Sequence, residues 1–295
     1  MRRVLLVANP ASRRGARLRE AALRTFAESG VHCDPVLTER PGHAADICRE
    51  RAAGYDAVFT LGGDGTAMEV VGALAYSGQP VAILPGGTGN LIARALGTPL
   101  VMRRAVRALL DGELRQVDLG LLDDGRRFAF AAGVGIDSQM IEHTSPWLKQ
   151  RIGVGAYVFA AARAILRGHT IHVRATVDGD IIERDAVSVM LTNFGAVLND
   201  RLSLGPGIRQ DDGKLDLCVF SPGGLTDAIR ILWRLSRKDF RNDPCMLFRS
   251  GAVFRIETDP PCQAQADGDL LGPTPFGARV EPHAATLLVP RRKKK

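Results

Sequence analysis

Aromatic residues are scarce in this chain, at 5% of 295 positions, and no stretch interleaves them with basic residues in the way that stacks unpaired bases. A nucleic-acid role would rest on charge alone. Cysteines are few, odd in number and scattered: Cys33, Cys48, Cys218, Cys245 and Cys262 contain no C-x-x-C pair. That spacing excludes a disulfide framework and a zinc site, and makes a reducing cytoplasm the expected compartment. Long apolar runs are missing as well. None approaches the ~18–20 residues that span a bilayer, and the run after Arg2-Arg3 stops at Asn9-Pro10, too short for an export signal.

What the chain does have is the composition of a globular protein, 45% apolar and 24% charged, with length enough for two domains that each bury a core. The balance of charge is +7, and the sequence closes on Arg291-Arg292-Lys293-Lys294-Lys295. At about 1 kcal/mol per basic residue near an anionic leaflet, such a tail gives reversible peripheral contact and no insertion. A solvated tail that only aids solubility explains it equally well.

The apolar pattern changes along the chain. Residues 4–8 and 32–37 read as strands and the runs 57–61 and 81–84 as short buried ones, with helical patterns over 15–29, 41–53 and 100–110 and after each of the two runs. Strand and helix in alternation predict a parallel sheet with helices on both faces, whose ligands lie beyond the carboxyl ends of the strands. From about residue 115 short alternating strands parted by turns such as Asp123-Asp124-Gly125 and Asp178-Gly179-Asp180 predict an antiparallel β-sandwich. The expected fold is thus α/β plus all-β: an α/β nucleotide-binding domain over residues 1–118, a sandwich domain over 119–290 and a basic tail over 291–295. Helical insertions are expected near 145–168 and 225–240. Both carry a Trp among apolar residues and several cations, including Arg151, Arg163, Arg230, Arg237 and Lys238. Such a helix either packs its apolar side on a sheet or lies in a membrane interface. A free sandwich edge would let two copies pair.

Two stretches stand out. The run 57–61 ends in Gly62-Gly63-Asp64-Gly65-Thr66, and the run 81–84 ends in Pro85-Gly86-Gly87-Thr88-Gly89-Asn90. Each is a strand, a glycine turn and a helix. Glycine lets the backbone approach a ligand closely, and the N–H groups at the start of the next helix favour negative charge. Phosphate is the ligand this chemistry suits, while an ordinary turn between strand and helix remains the alternative for either stretch alone.

The pair resembles the diacylglycerol kinase catalytic domain of bacterial lipid kinases, related to sphingosine and ceramide kinases. The first motif is shared with NAD kinases; the second separates the lipid kinases from them. The resemblance implies ATP held by Gly62, Gly63, Asp64, Gly65 and Thr66, with Glu69 one turn into the helix, by Gly87, Thr88, Gly89 and Asn90, and by Asn9 and Thr38 at the ends of the first two strands. Three positions near the nucleotide motifs depart from the family's pattern. Arg13 stands for a glycine after Ser12, Met68 for an Asn and Leu91 for an Asp. In Ala266-Asp267-Gly268-Asp269 the resemblance makes Asp267 the general base and gives Asp269 the place of a Glu; as residues alone, Asp-Gly-Asp is equally a hairpin turn. In Arg209 to Leu217 the resemblance implies a structural magnesium on the Asp212 carboxylate and the carbonyls of Arg209 and Lys214, an oxygen-only set that suits Mg2+. Gly133-Val134-Gly135-Ile136-Asp137 is a further match.

These readings converge on an ATP- and Mg2+-dependent lipid kinase, cytoplasmic and peripheral to the membrane, that phosphorylates the hydroxyl of a membrane lipid such as diacylglycerol. An NAD kinase-like enzyme and a non-catalytic nucleotide or lipid sensor of the same fold are the alternatives.

Overall fold

A parallel strand that is apolar on both sides has to be covered on both sides, and the strands over 3–8, 57–62 and 81–85 meet that condition, while 32–37, at the edge of the sheet, has no buried residue. The computed structural model describes residues 1–10, 15–135, 170–197 and 202–291. It forms two compact units, Met1–Val117 with His283–Lys295, and Asp118–Pro282. Calls on Ser12 and Arg13, on Ile136 and Asp137, on the helical insertion at 145–168 and on the tail beyond Arg291 lie outside the described residues.

In the first unit β1 (Arg3–Ala8), β2 (His32–Leu37), β3 (Ala57–Gly62) and β4 (Val81–Pro85) are parallel in the order β2-β1-β3-β4. The end of β18 (Phe276–Val289) adds a parallel neighbour, with Leu287 opposite Val81. Helices α1 (Gly15–Glu28) and α5 (Met102–Leu110) share a core with Val4, Leu6, Phe59, Leu61 and Leu84. Phe26 of α1 meets Phe59 edge to face at 4.9 Å. The alternate strand residues Leu5, Val7 and Val58 are fully buried too. Helices α2 (His43–Arg51) and α3 (Asp64–Ala73) pack on each other and on the strands, and a short α4 (Leu91–Ala95) follows β4.

The second unit is antiparallel. A six-stranded sheet runs in the order β14 (Met246–Gly251), β13 (Leu215–Phe220), β10 (Ser188–Thr192), β7 (Ala131–Gly135), β16 (Gln263–Ala266), β17 (Asp269–Pro273). Opposite it the start of β18 pairs with β15 (Val253–Asp259), then β8 (Ile171–Val177) and β9 (Asp180–Ala186), while β5 (Glu113–Leu122) pairs with β18 and β6 (Arg127–Phe128). Inward residues of both sheets, among them Phe128, Val134, Leu191, Leu217, Phe254 and Ile256, make one core. A small pair, β11 (Ala196–Val197) and β12 (Leu202–Ser203), precedes β13, and among the described residues one helix interrupts the sandwich, α6 (Leu225–Arg237), between β13 and β14.

The expected parallel sheet and sandwich are both present. The alternating pattern over 126–132 suits a single strand, but the chain forms two there, β6 and β7, parted at Ala129-Phe130. The N–H groups of both residues leave the ladder for the Asp267 carboxylate. The strands β14, β16 and β17 were not anticipated; β16, Gln-Ala-Gln-Ala, has no bulky apolar residue to mark its inward face.

Candidate functional site

Register alone brings the nucleotide candidates of the first unit to one edge. Ala8 lies opposite Leu37 and Leu61, and Gly62 opposite Pro85, so Asn9, Thr38, Gly62-Gly63 and Gly86-Gly87 all follow the carboxyl ends of neighbouring strands. Asn9 donates from Nδ2 to Thr66 Oγ1 at 3.2 Å, tying the end of β1 to the first turn of α3. Thr38 and Thr66 are buried, while Thr88 is exposed.

The glycines of the two motifs are there first for each other. None of Gly62, Gly63, Gly86 and Gly87 has a left-handed φ. A Cβ on Gly86 would lie 2.7 Å from the Gly62 nitrogen, one on Gly87 2.6 Å from the Gly63 Cα, and one on Gly62 2.7 Å from the Thr66 Cβ. The Gly86 N–H donates to the Gly62 carbonyl at 3.2 Å. The two turns therefore close on one another, backbone to backbone, with no room for side chains. Gly63 differs. Its φ of −82° and ψ of −178° suit any residue, and a Cβ there would meet nothing within 4 Å. It caps α3, and no side chain caps that helix start. Helix N–H groups beside open space suit an anion, and at this start the Asp64 N–H faces the residue's own carboxylate.

Asp64, the first residue of α3, points its carboxylate at the start of α4. Oδ1 accepts the Ile92 N–H at 3.1 Å, and the N–H groups of Leu91 and Asn90 also face it. Burial raises its pKa above the usual carboxylate range, and those N–H groups pull the other way. Asn90, left-handed at φ 51°, exchanges two hydrogen bonds of 2.8 Å with the main chain of Gly87. A Cβ on Gly89 would crowd Asp64 Oδ2 at 3.1 Å. Asp64, Gly87 and Asn90 are thus one hydrogen-bonded assembly, with Gly89 packed against it. Glu69 is not part of it. Its carboxylate accepts the N–H groups of Gly42 at 2.9 Å and Ala44 at 3.2 Å, where it caps α2.

In the second unit Asp267 and Gly268, with φ 47° and 98°, form the two-residue turn of the hairpin β16–β17, and Ala266 pairs with Asp269 across it. The Asp267 carboxylate accepts three main-chain N–H groups, from Ala129 at 2.7 Å and from Phe130 and Ala131 at 2.9 Å each. Its own N–H returns to the Ala131 carbonyl. Its position and angle are set by backbone on two strands. Asp269 is exposed.

The stretch Arg209 to Lys214 is held by Asp118, a fully buried acid. Asp118 donates its N–H to the Gln210 carbonyl and accepts the Gly213 N–H on Oδ2, both at 2.7 Å. Asp212 is exposed and accepts the Lys214 N–H at 3.2 Å; the Arg209 side chain turns to Asp211 at 3.1 Å. Among the described residues no three acids, histidines or cysteines converge as a metal cluster. The set that remains, one exposed carboxylate with main-chain carbonyls and water, has the hard-oxygen chemistry of magnesium. Nearby Asp216 is raised in pKa by burial, against a hydrogen bond from Ser250.

Two residues that organise this unit escaped sequence reasoning. Asp118 read only as part of a strand. Asn193, fully buried, donates from Nδ2 to the carbonyls of Asp118 at 2.6 Å and Ala129 at 3.0 Å. It joins the loop that grips Asp267 to the residue that grips 209–214. A polar residue directly after an apolar strand and before Phe194-Gly195 was the available signal.

Comparison with known proteins agrees with this arrangement. Residues 3–122 match the family described as Diacylglycerol kinase catalytic domain, and residues 131–289 the family described as YegS C-terminal NAD kinase beta sandwich-like domain. A diacylglycerol kinase of Bacillus subtilis is 26% identical over 93% of this chain and 92% of its own. One from Staphylococcus epidermidis is 27% identical over 93% and 88%. An uncharacterized protein of Synechocystis is 27% identical over 79% of this chain, which spans 54% of that protein's length. Among solved structures, a proposed diacylglycerol kinase from Bacillus anthracis superposes with a TM-score of 0.80 at 26% identity, covering 97% of this chain and 95% of that one. With both domains matched in order across nearly the whole chain, the protein belongs to the diacylglycerol kinase catalytic-domain family with a YegS-type C-terminal sandwich.

Proposed function

We propose that this kinase passes the γ-phosphate of ATP to the hydroxyl of a membrane lipid such as diacylglycerol. The observation that carries the reading is Gly63: neither its backbone angles nor its neighbours require glycine, and the space its missing side chain leaves lies at the uncapped start of α3. A phosphate group accounts for both. Asn9, Thr38, Gly62, Gly65, Thr66 and the assembly of Asp64 with Gly87, Thr88, Gly89 and Asn90 surround that start and would hold the nucleotide. When bound, magnesium neutralises charge on the phosphate oxygens. Asp212 with the carbonyls of Arg209 and Lys214 would hold a second, structural ion.

Asp267 would accept the hydroxyl proton as the lipid oxygen bonds to the γ-phosphorus and the bond to the ADP oxygen breaks. Three main-chain N–H donors hold the carboxylate in place. Asp269, one residue past the turn, would add negative charge nearby.

The test is transfer of labelled phosphate from ATP with Mg2+ to a panel of lipids in mixed micelles, with NAD as the soluble control and Asp267→Asn beside the wild type. Label in one lipid class, lost in the variant, is the expected outcome. Label in NAD would reassign the acceptor, and ATP binding with no transfer would make the protein a sensor.

A further inference from the structure

Helix α6 presents two apolar faces, and among the described residues only one of them is packed. Ala228, Ile231 and Leu235 are buried, the latter two in a small core with Leu202, Cys245 and Met246. On the opposite side Leu225, Ile229 and Trp233 follow at four-residue spacing, exposed by 44%, 53% and 56%. Residues spaced by four lie above one another on a helix, so the three form a continuous outward stripe. The Arg237 guanidinium stacks over the Trp233 ring at 5.8 Å. Between residues 225 and 241 there are five basic residues and two acidic ones. Both acids are engaged, Asp227 with Arg230 and Asp239 with Arg234 and Arg241, and Asp243, just beyond the segment, pairs with Arg230 and Arg234 as well, which leaves Arg237 and Lys238 as the excess. The segment therefore keeps surplus positive charge beside its exposed stripe.

We infer that the outer face of α6 seats the second unit on an anionic lipid bilayer, with Leu225, Ile229 and Trp233 in the headgroup boundary and Arg237 and Lys238 at the phosphates. An exposed apolar stripe needs an occupant. Three half-exposed side chains offer far less than the roughly 800 Å² per partner of a stable protein interface, which argues against another protein copy. They match the shallow insertion of an interfacial helix, where a Trp and a cation at one end are placed for the boundary between acyl chains and headgroups. The charge surplus supplies the complement to anionic lipid. The inference takes its meaning from the lipid-kinase reading, but its test does not depend on turnover.

The experiment is sedimentation of the full chain with vesicles of phosphatidylcholine, with and without phosphatidylglycerol. The wild type is expected to bind the anionic vesicles and to be released by salt. The double variant Ile229→Gln, Trp233→Gln should lose at least about tenfold in binding with an unchanged unfolding midpoint, since both side chains are exposed. Ser236→Glu, which puts an acid on the same face and leaves the stripe intact, should weaken binding to anionic vesicles in the same direction. Phosphorylation of a monomeric short-chain diacylglycerol should be unaffected in these variants while that of a vesicle-borne substrate falls. Vesicle binding that survives both variants, or a wild type that ignores anionic vesicles, overturns the inference. So does a wild-type dimer on size exclusion that the double variant converts to monomer. Absence of all phosphoryl transfer with the vesicle result intact would overturn the kinase reading and leave the docking face standing.

Discussion

Replacing Gly86 by Ala and Gly63 by Ala should have opposite consequences, although both glycines lie in turns that end neighbouring strands. At Gly86 the new Cβ would stand 2.7 Å from the Gly62 nitrogen, 2.9 Å from Leu61 Cδ1 and 3.0 Å from the Gly62 oxygen. Two of those atoms are backbone, so the turns must part. Overpacking of this kind costs about 1–3 kcal/mol, and the strained Gly86 to Gly62 hydrogen bond adds about 1 kcal/mol. The sum is a large part of a typical stability of about 5–15 kcal/mol, and corresponds to a midpoint lower by about 4–16 °C. At Gly63 the extended backbone accepts alanine and its Cβ meets nothing. Stability should then change by no more than about 0.5 kcal/mol, or rise slightly through the unfolded chain. Turnover should nevertheless collapse, because the methyl group takes the space at the helix start. The assay is thermal unfolding of each variant without nucleotide, paired with labelled-phosphate transfer. A Gly63→Ala protein that keeps full activity, or that unfolds as early as Gly86→Ala, refutes the division between glycines that serve packing and the one that serves a ligand.

Burial raises the pKa of Asp64, so the folded state holds that proton more tightly than the unfolded chain, and the ionised carboxylate weighs against folding once pH rises through the folded value. Asp64→Asn should accordingly raise the unfolding midpoint relative to wild type more at about pH 7.5 than at about pH 3.5; an equal or reversed difference, followed by differential scanning calorimetry, would contradict the sign. Glu69→Ala leaves the N–H groups of Gly42 and Ala44 unpaired and should cost about 1–2 kcal/mol, with the KM for ATP little changed; a large rise in that KM with full stability would return Glu69 to the nucleotide site. Millimolar Mg2+ without nucleotide should raise the unfolding midpoint by an amount set by its occupancy, about 2.7 kcal/mol at a hundredfold excess over Kd, and Asp212→Asn should abolish the increment. An Mg2+ response that survives in that variant would place the ion elsewhere.

Local chemistry made much of this legible. Strand, glycine turn and helix follow one another within a dozen residues, so the parallel sheet and the edge that holds Asn9, Thr38 and both glycine motifs could be read directly. The Asp267-Gly268 turn was equally visible, since few residue pairs accept two left-handed positions. The rest depends on partners far away in sequence. Nothing near Gly86 says that it must clear Gly62, and nothing near Glu69 says that its carboxylate caps a helix 25 or more residues upstream. The grip of Ala129, Phe130 and Ala131 on Asp267 crosses more than 130 positions and cuts an apparently continuous strand in two. Asn193 carries no pattern at all. Periodicity reports which side of an element is apolar, and these roles depend on which element lies opposite.

The division of β18 between the units also bears on how the chain is made. Its beginning pairs with β15 in the sandwich, and its end lies beside β4 in the first unit. The parallel sheet therefore cannot be completed by the segment that starts it. During synthesis at about 5–20 residues per second, the flank of β4 stays open for roughly 10–40 s while the sandwich emerges. An unpaired apolar strand invites pairing with another chain. A fragment ending at residue 122, where the first family match stops, would keep that flank open for good. It should aggregate where the full chain folds, and the sandwich is in this sense an insertion that the first unit has to wait for.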